Sequence, residues 1–329
     1  MNQRRNFMLG SVGAFAAVLG LVNGRTAHAQ SVLKFSSPAP TSDPAHQAIE
    51  QFGNALKQKS AGRFGLRIFP SGQLGQQREI IQGLQSGAVE LAYFSSTHLV
   101  NFVPEFAVLD LPYVISETDQ ASKLLDGEFG DYLMQKLEKV GVVGLGFSEA
   151  SFRGLVSKRP ITGPDSLKGL KVRVPPSPIY VGTFTSMGAI PTPLPWGDLY
   201  TALQQGVVDA ADSTVVWYDA YKFYEVAPHF TFSNHVLGAG IFLASAKWLA
   251  TLPEADRTMI RGIAKESALH HRKIEREASH QAQRVTEAKG AKFTKIDLEP
   301  LMKATRAVHA ENAPKIGDDV MKRLAGLGL

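Results

Sequence analysis

The 329-residue chain contains no cysteine. This absence excludes disulfide bonds, thiolate nucleophiles and metal sites with cysteine ligands. The fold must therefore be stabilised by burial of side chains, and a chain of this length is long enough for that. The same length favours two domains over one.

Clustered positive charge is also absent. The formal net charge is +5 at pH 7, and it falls to +2 if Arg4, Arg5 and Arg25 are removed with an N-terminal leader that contains no acidic residue. The chain has no run of Lys and Arg with interleaved aromatic residues, which is the pattern that binds nucleic acids. The sequence therefore indicates no nucleic-acid partner.

No apolar run near the N-terminus is long enough to cross a membrane. Residues 10–22 form an apolar run of thirteen residues, whereas a spanning helix needs about twenty. Arg4 and Arg5 precede this run, and Ala27-His28-Ala29 supplies the small residues of a cleavage site. We predict that residues 1–29 are an export signal peptide of the twin-arginine type, with Sec export and an uncleaved anchor as alternatives. Export of this kind implies a periplasmic protein.

Strand-like and helix-like patterns alternate along the rest of the chain. Residues 32–35 and 89–94 have the short apolar runs of strands, and residues 77–86 have the apolar spacing of a helix. This alternation predicts an α/β fold. Two further strand-like runs, 142–147 and 169–174, predict a second sheet.

The segment from Pro253 to Lys289 has helical apolar spacing throughout, and Gly290 follows as a residue that ends helices. At about 1.5 Å per residue, this helix would be roughly 55 Å long, which exceeds one small domain. Two shorter helices with a break at His270 and His271 are the alternative. Adjacent histidines point about 100° apart on a helix, so we expect solvated side chains and not a zinc pair.

Arg173 is the most informative single residue, because it lies in the apolar strand-like run Lys171-Val172-Arg173-Val174. A buried guanidinium needs an anion or an acidic side chain beside it, and its planar fork fits a carboxylate with two hydrogen bonds. Arg173 therefore indicates a binding site for an organic acid. Pairing with a protein carboxylate, or a side chain that reaches to water, would also account for it.

The sequence contains only incomplete matches to catalytic motifs. Gly146-Phe147-Ser148-Glu149-Ala150 lacks the second glycine of a nucleophile elbow, and Gly144-Leu145-Gly146 lacks the third glycine of a dinucleotide site. Asp209 and Asp212 could act as paired acids, but we expect a structural role for Asp209 at a domain junction. We predict no catalytic residue, no metal and no cofactor.

Other segments accompany the Arg173 strand along the chain: Phe69-Pro70-Ser71-Gly72-Gln73-Leu74-Gly75, Leu111-Pro112-Tyr113-Val114, Gly188-Ala189, residues 200–209 and Lys222-Phe223-Tyr224-Glu225-Val226. In this order and at these separations, they resemble the solute-binding receptors of tripartite ATP-independent periplasmic (TRAP) transporters, the DctP-type family of dicarboxylate and sialic-acid receptors. The resemblance covers nearly all of the chain after residue 30. It implies a two-lobed periplasmic binding protein fold of the α/β class, with a long helix spanning both lobes.

The resemblance also implies roles for particular residues. Arg173 corresponds to the arginine that binds the ligand carboxylate, and Arg153 corresponds to a second arginine of the site. Trp196 corresponds to an aromatic residue that contacts the ligand. A surface position for Arg153 and core filling by Trp196 are the alternatives. Polar ligand contacts are implied for three more residues, Ser95, Ser96 and Gln77.

The chain departs from the family after Val208. Many members have Asp-Gly-Gln-Glu-Asn-Pro there, whereas this sequence has Asp209-Ala210-Ala211-Asp212-Ser213-Thr214. Ser213 thus replaces a carboxamide that contacts the ligand, and Trp217 follows shortly. A site with fewer hydrogen-bond donors and more aromatic surface favours an acid with fewer hydroxyl groups than sialic acid, such as a 2-oxo, 2-hydroxy or aromatic monocarboxylate. Few acidic residues are evident near the site, so amines are disfavoured as ligands.

The resemblance predicts lobe I from residues 31–150 and about 239–270, and lobe II from residues 151–238 and about 271–329. The expected function is a periplasmic receptor that captures an organic acid and delivers it to the TRAP membrane permease subunits. We expect the receptor to be a monomer and not an enzyme. A periplasmic enzyme acting on a carboxylate substrate and an ABC-type solute receptor are the alternatives, and the long helix argues against the latter.

Overall fold

The structure is a computed structural model that describes residues 30–327, with residues 149 and 150 described by their backbone only. The predicted export signal, residues 1–29, lies outside the described residues. The described part of the chain contains these strands: β1 (Ser31–Ser36), β2 (Phe64–Phe69), β3 (Leu91–Ser95), β4 (Val142–Phe152), β5 (Gly154–Ser157), β6 (Lys171–Val174), β7 (Ile190–Pro193), β8 (Ala210–Ser213), β9 (His229–Phe232), β10 (Leu237–Ser245) and β11 (Lys292–Lys295).

Helices alternate with these strands. They are α1 (Pro44–Lys59), α2 (Gln77–Ser86), α3 (Thr118–Asp126), α4 (Glu128–Glu138), α5 (Pro178–Ser186), α6 (Leu199–Gln205), α7 (Val215–Ala220), α8 (Ala246–Leu249), α9 (Glu254–Ala288), α10 (Glu299–Ile316) and α11 (Asp318–Gly326). Gly87 and Gly206 end α2 and α6 in the left-handed conformation, which glycine adopts without steric cost. Between residues 30 and 327, no helix combines the length and the apolar character needed to cross a bilayer.

The first sheet has the strand order β2-β1-β3-β10-β4. Strand β1 pairs in parallel with β2 and β3, whereas β10 pairs antiparallel with β3 and β4. Four aromatic side chains, Phe35, Phe52, Tyr93 and Phe242, pack together at ring-centroid distances of 5.4 to 6.3 Å. Such ring pairs bury large apolar areas, so they account for much of the stability of this core.

The second sheet has the strand order β11-β9-β5-β8-β6-β7, so the predicted α/β fold with two sheets is confirmed. Strand β6 pairs in parallel with β7 and β8, and the register places Arg173 opposite Thr192 and Ala211. Val172 and Val174, which alternate with Arg173 along the strand, are completely buried. Strand β6 is therefore buried on both faces, and this holds Arg173 in the interior.

The chain passes between the two sheets at adjacent places. One passage lies at Arg153, between β4 and β5, and the other lies at residues 233–236, between β9 and β10. The backbone N–H of Arg153 donates to the carbonyl of Val236 at 2.9 Å, and that of Tyr113 donates to the carbonyl of His235 at 2.9 Å. Two connections that lie side by side form the kind of hinge about which two lobes can rotate.

Helix α9 is continuous from Glu254 to Ala288, so the prediction of one long helix is confirmed and the break at His270 and His271 is not found. Near its start, Ile260 and Ile263 belong to the core beside the first sheet. Near its end, Ala282 belongs to the core beside the second sheet. The helix therefore spans both halves of the molecule.

The prediction that both helix histidines are solvated is wrong for His271. Its side chain is buried and lies edge-on to the Tyr93 ring, with centroids 5.5 Å apart. Burial lowers the pKa of His271 to about 3, and the charges of His270 and Arg272 act in the same direction. The ring is therefore neutral at physiological pH. Their adjacent positions in the sequence predict the angle between the two side chains, but they do not show which histidine faces the sheet.

Helices α10 and α11 return to the first sheet. Val308, Ile316, Val320 and Leu324 belong to the same hydrophobic core as strand β10 and helix α4. Leu301, at the start of α10, belongs instead to the core around β6 and α5. The C-terminal helices thus contact both cores, and the predicted lobe boundaries near residues 150, 238 and 270 remain a proposal.

Candidate functional site

Arg173 is 1% exposed. Its Nε and Nη2 atoms both donate hydrogen bonds to the carbonyl oxygen of Leu194, at 2.9 and 2.7 Å. Its Nη1 atom lies 3.8 Å from Oδ1 of Asp212. Burial lowers the pKa of Arg173 to about 10, although the charge of Asp212 opposes this shift. The guanidinium therefore remains positively charged at neutral pH.

Arg153 and Asp212 complete a buried charged group with Arg173. Arg153 donates from Nε to Oδ2 of Asp212 and from Nη2 to the Asp212 carbonyl, the latter at 3.4 Å. Asp212 is completely buried in β8, and its Oδ1 atom has no hydrogen-bond partner among the described residues. One carboxylate thus lies between two guanidinium groups. We call these three residues the Arg-Asp-Arg group.

Two histidines near this group carry no charge at neutral pH. Burial lowers the pKa of His98 to about 3, and the positive charges of Arg173 and Arg153 lower it further. Burial also lowers the pKa of His235 to about 4, and its Nδ1 atom lies 2.9 Å from the Ser233 hydroxyl. Neither ring adds a positive charge to the site, and either ring can donate or accept a hydrogen bond.

Asp110 is a second buried acid near the site. It accepts hydrogen bonds from the hydroxyls of Thr97 at 2.8 Å and Ser177 at 2.9 Å. Burial raises the pKa of Asp110 to about 7, although these two hydrogen bonds oppose the shift. At pH 7 this carboxyl carries only part of a negative charge. Asp110 is therefore a weaker counter-charge for the arginines than a fully ionised carboxylate would be.

Aromatic side chains cover one side of Arg173. The guanidinium carbon lies 5.4 Å from the centroid of the Trp196 ring, within the range of a cation–π contact. Trp196 in turn contacts Trp217 at 4.6 Å and Tyr221 at 5.1 Å between ring centroids. The structure thus brings four of the predicted site residues together: Arg153, Arg173, Trp196 and Trp217.

The other predicted residues lie around this centre. The Ser213 side chain is completely buried next to Asp212, and its hydroxyl donates to the carbonyl of Thr214 at 3.2 Å. Ser95 donates to the Thr97 hydroxyl at 3.3 Å, and Ser96 is buried beside it. Gln77, also buried, begins helix α2. Ligand contacts from these residues remain predictions.

The prediction that few acidic residues lie near the site is wrong, because Asp212 and Asp110 are both part of it. Asp212 is adjacent to Arg173 because β6 and β8 pair in parallel, and such pairings join segments that are distant in sequence. Arg173 therefore has a protein carboxylate nearby, as the alternative interpretation proposed. The sequence did contain a signal for this acid. Asp212 lies among the valines and alanines of residues 207–216, where a carboxylate is as costly to bury as Arg173.

A cavity of about 860 Å³ lies between the two halves of the molecule, close to Arg173, which does not itself line it. Gln77, His98 and Phe102 line it from the side of the first sheet, and Pro176 and Pro195 line it from the side of the second. This volume lies within the range of ligand pockets in proteins, which is roughly 300–1,000 Å³. The cavity is therefore large enough for a small organic ligand.

Two α/β halves joined by a double hinge, with a buried charged group beside the cavity between them, define a two-lobed solute-binding protein. The family described as bacterial extracellular solute-binding protein, family 7 (DctP), matches residues 35–315. The chain belongs to this family. The predicted kinship with TRAP receptors is thereby confirmed, and the ABC-type alternative is set aside.

Relatives extend over most of the chain. The 2,3-diketo-L-gulonate-binding periplasmic protein of Escherichia coli is 30% identical over 264 residues, which cover 79% of each chain. The structure of a TRAP periplasmic solute-binding protein of Bradyrhizobium sp., solved with galacturonate, superposes with a TM-score of 0.87 and 31% identity. The match covers 90% of this chain and 99% of the Bradyrhizobium chain. A TRAP protein of Bordetella bronchispeptica, with density assigned to pantoate, has a TM-score of 0.87 and 28% identity, covering 90% and 98%.

We expect Asp212→Asn to destabilise the unliganded protein by about 3–5 kcal/mol, because it removes the carboxylate that lies between two buried guanidinium groups. Urea unfolding followed by circular dichroism measures this change. Glu311→Gln removes the charge of an exposed acid on helix α10 and is the control, with an expected change within about 0.5 kcal/mol. Equal stabilities of the two variants would contradict the role assigned to Asp212.

The second prediction concerns the pH dependence of stability. The pKa of Asp110 is about 7 in the folded protein, above the ordinary value of 3.8. Between these values the folded state keeps a proton that the unfolded state has lost, so this group's contribution to stability falls as pH rises. The slope is at most about 1.4 kcal/mol per pH unit. Urea unfolding of the wild type and of Asp110→Asn across this range should show a difference that declines with pH, and a constant difference would contradict the assignment.

Proposed function

We propose that this protein is the periplasmic receptor of a TRAP transporter and that it captures an organic acid through Arg173 and Arg153. The observation that carries this proposal is the buried Arg173 guanidinium, whose Nη1 atom approaches Asp212 only to 3.8 Å. A buried guanidinium is costly unless its N–H groups meet acceptors, so the site favours a ligand that brings a negative charge to Arg173. A carboxylate fits this requirement, because a guanidinium can donate two parallel hydrogen bonds to it.

The geometry of Arg173 leaves donors for such a ligand. Its Nε atom and one hydrogen of Nη2 donate to the Leu194 carbonyl, and these two hydrogen bonds fix the plane of the guanidinium. Nη1 approaches Asp212 only to 3.8 Å, so Nη1 and the second hydrogen of Nη2 can donate to a carboxylate together. The arginine is therefore held in place before the ligand arrives, which reduces the entropic cost of binding.

Relatives support an acid as the ligand. The Escherichia coli protein is named for 2,3-diketo-L-gulonate, and the two solved structures are described with galacturonate and with density assigned to pantoate. These three compounds share a carboxylate and differ in the rest of the molecule. The shared group is what Arg173 would bind, and the remaining cleft residues would select among acids.

Ligand binding would close the cleft. Arg173 and Trp196 lie on the side of the second sheet, whereas Gln77, His98 and Asp110 lie on the side of the first. A ligand that contacts both sides binds the closed arrangement more tightly than an open one and shifts the population toward it. In this structure, the hydrogen bond from the Ser177 hydroxyl to Asp110 joins the two sides.

We further propose that the receptor acts as a monomer, delivers its ligand to the membrane permease subunits of the transporter and leaves the ligand chemically unchanged. The relatives are named as binding proteins of the periplasm, and residues 1–29 have the sequence pattern of an export signal. An enzyme acting on the same acid is the alternative. A changed ligand mass after prolonged incubation with the protein would favour that alternative.

Arg173→Lys should weaken binding of the acid by about 2–5 kcal/mol while the protein still folds. Lysine keeps the charge, but it has no planar pair of donors for a carboxylate. Isothermal titration calorimetry with an acid that binds the wild type measures the loss.

The matched control for this experiment is Arg159→Lys, because Arg159 is an exposed arginine between β5 and β6. This control should bind like the wild type. If Arg173→Lys bound within threefold of the wild type, Arg173 would be a structural residue and the proposed site would be wrong.

The proposed export route also predicts a result. Replacing Arg4 and Arg5 together with lysine should leave unprocessed protein in the cytoplasm, because the twin-arginine route requires this pair. Arg25→Lys, outside the pair, should be exported normally. Fractionation and N-terminal sequencing measure the outcome, and mature protein beginning at Gln30 in the double variant would favour Sec export instead.

A further inference from the structure

The cavity beside Arg173 has one wall that is almost entirely apolar. Five residues from the side of the second sheet form it: Pro176, Pro178, Val181, Pro193 and Pro195. We call this surface the proline wall. The facing wall is mixed, with Phe102 and His98 next to the buried Gln77 and with Arg78 and Glu79 exposed to solvent.

Polar groups close to the proline wall are already engaged. Ser177, which also lines this side of the cavity, donates its hydroxyl to Asp110 at 2.9 Å. Asn101, on the facing side, donates its amide to the carbonyl of Pro176 at 2.8 Å. Deeper in the site, the Ser213 hydroxyl donates to the carbonyl of Thr214. Hydroxyl groups that faced this wall would find few partners, whereas hydroxyl groups on the opposite side of the ligand would face Gln76, Gln77 and His98.

The proline wall is continuous with the charged end of the site. Pro193 and Pro195 flank Leu194, whose carbonyl accepts both hydrogen bonds from Arg173. His98 lines the same cavity and lies close enough to Arg173 to sense its charge. Arg173 does not itself line the cavity, so a ligand whose body lies against the wall would extend its carboxylate past this end to reach Arg173.

We propose that this receptor selects monocarboxylic acids with a bulky apolar body, aryl or branched alkyl, over polyhydroxylated sugar acids. This inference rests on the proposed function, because it assumes that a carboxylate binds at Arg173. Burial of apolar ligand surface against the wall is favourable. Hydroxyl groups that leave water without new partners are unfavourable. Both effects act in the same direction.

Three acids test the inference: L-lactate, L-3-phenyllactate and D-glucuronate. The first two share the same 2-hydroxy acid head and differ only in the phenyl group. Isothermal titration calorimetry should show phenyllactate binding at least about tenfold more tightly than lactate and more tightly than glucuronate. Phenyllactate should also show the more negative heat-capacity change, which marks burial of apolar surface.

Val181→Asn makes the wall polar without touching the arginines. It should weaken phenyllactate binding about tenfold and leave lactate binding unchanged, because lactate has no group that reaches the wall. Val207→Asn changes a valine that is 50% exposed on a loop and should leave both affinities unchanged. Retained lactate binding by Val181→Asn shows that this variant is folded.

Several outcomes would overturn the inference. Tighter binding of glucuronate than phenyllactate would do so while still supporting an acid receptor. Equal affinities for lactate and phenyllactate, or an unchanged phenyllactate affinity in Val181→Asn, would mean that the wall contacts something other than the ligand. If none of the three acids bound, the inference would fail, and a screen of a wider carboxylate library would then decide the proposed function separately.

Discussion

The structure of the candidate site depends on one electrostatic constraint, the burial of two arginines around a single aspartate. Arg153 and Arg173 are almost inaccessible to water, and Asp212 between them is completely so. Burial of charge is tolerated only where partners and hydrogen bonds offset the loss of hydration. The pairing of β6 with β8 and the hinge position of Arg153 supply these partners. The Nη1 atom of Arg173 lies 3.8 Å from Asp212, so this arginine keeps a donor suited to an anion.

The rest of the cleft is arranged around this charged group. The Leu194 carbonyl and the Trp196 ring fix the position of the Arg173 guanidinium. Neutral histidines and a partly protonated Asp110 add hydrogen-bonding groups. The double hinge and the continuous helix α9 connect the two halves that carry these groups. The cleft can therefore change its width while each half keeps its own core.

Much of this architecture could be predicted from the sequence, because its signals are local. Arg173 between two valines indicated a buried cation, and the apolar spacing from Pro253 to Lys289 predicted helix α9. The partner of Arg173 could not be predicted in the same way. Asp212 reaches it through a pairing of strands about forty residues apart in sequence, and no local pattern encodes that register. The burial of His271 was missed for a related reason, since helical spacing does not show which face a distant sheet covers.

The central claim is that the buried arginines bind the carboxylate of a ligand. A crystal structure of the mature protein, purified from its own periplasm with the ligand it has captured, tests this claim most directly. The account predicts electron density for an acid whose carboxylate oxygens lie about 3 Å from Nη1 and Nη2 of Arg173. A ligand bound elsewhere, with Arg173 in contact only with Leu194 and Asp212, would contradict it.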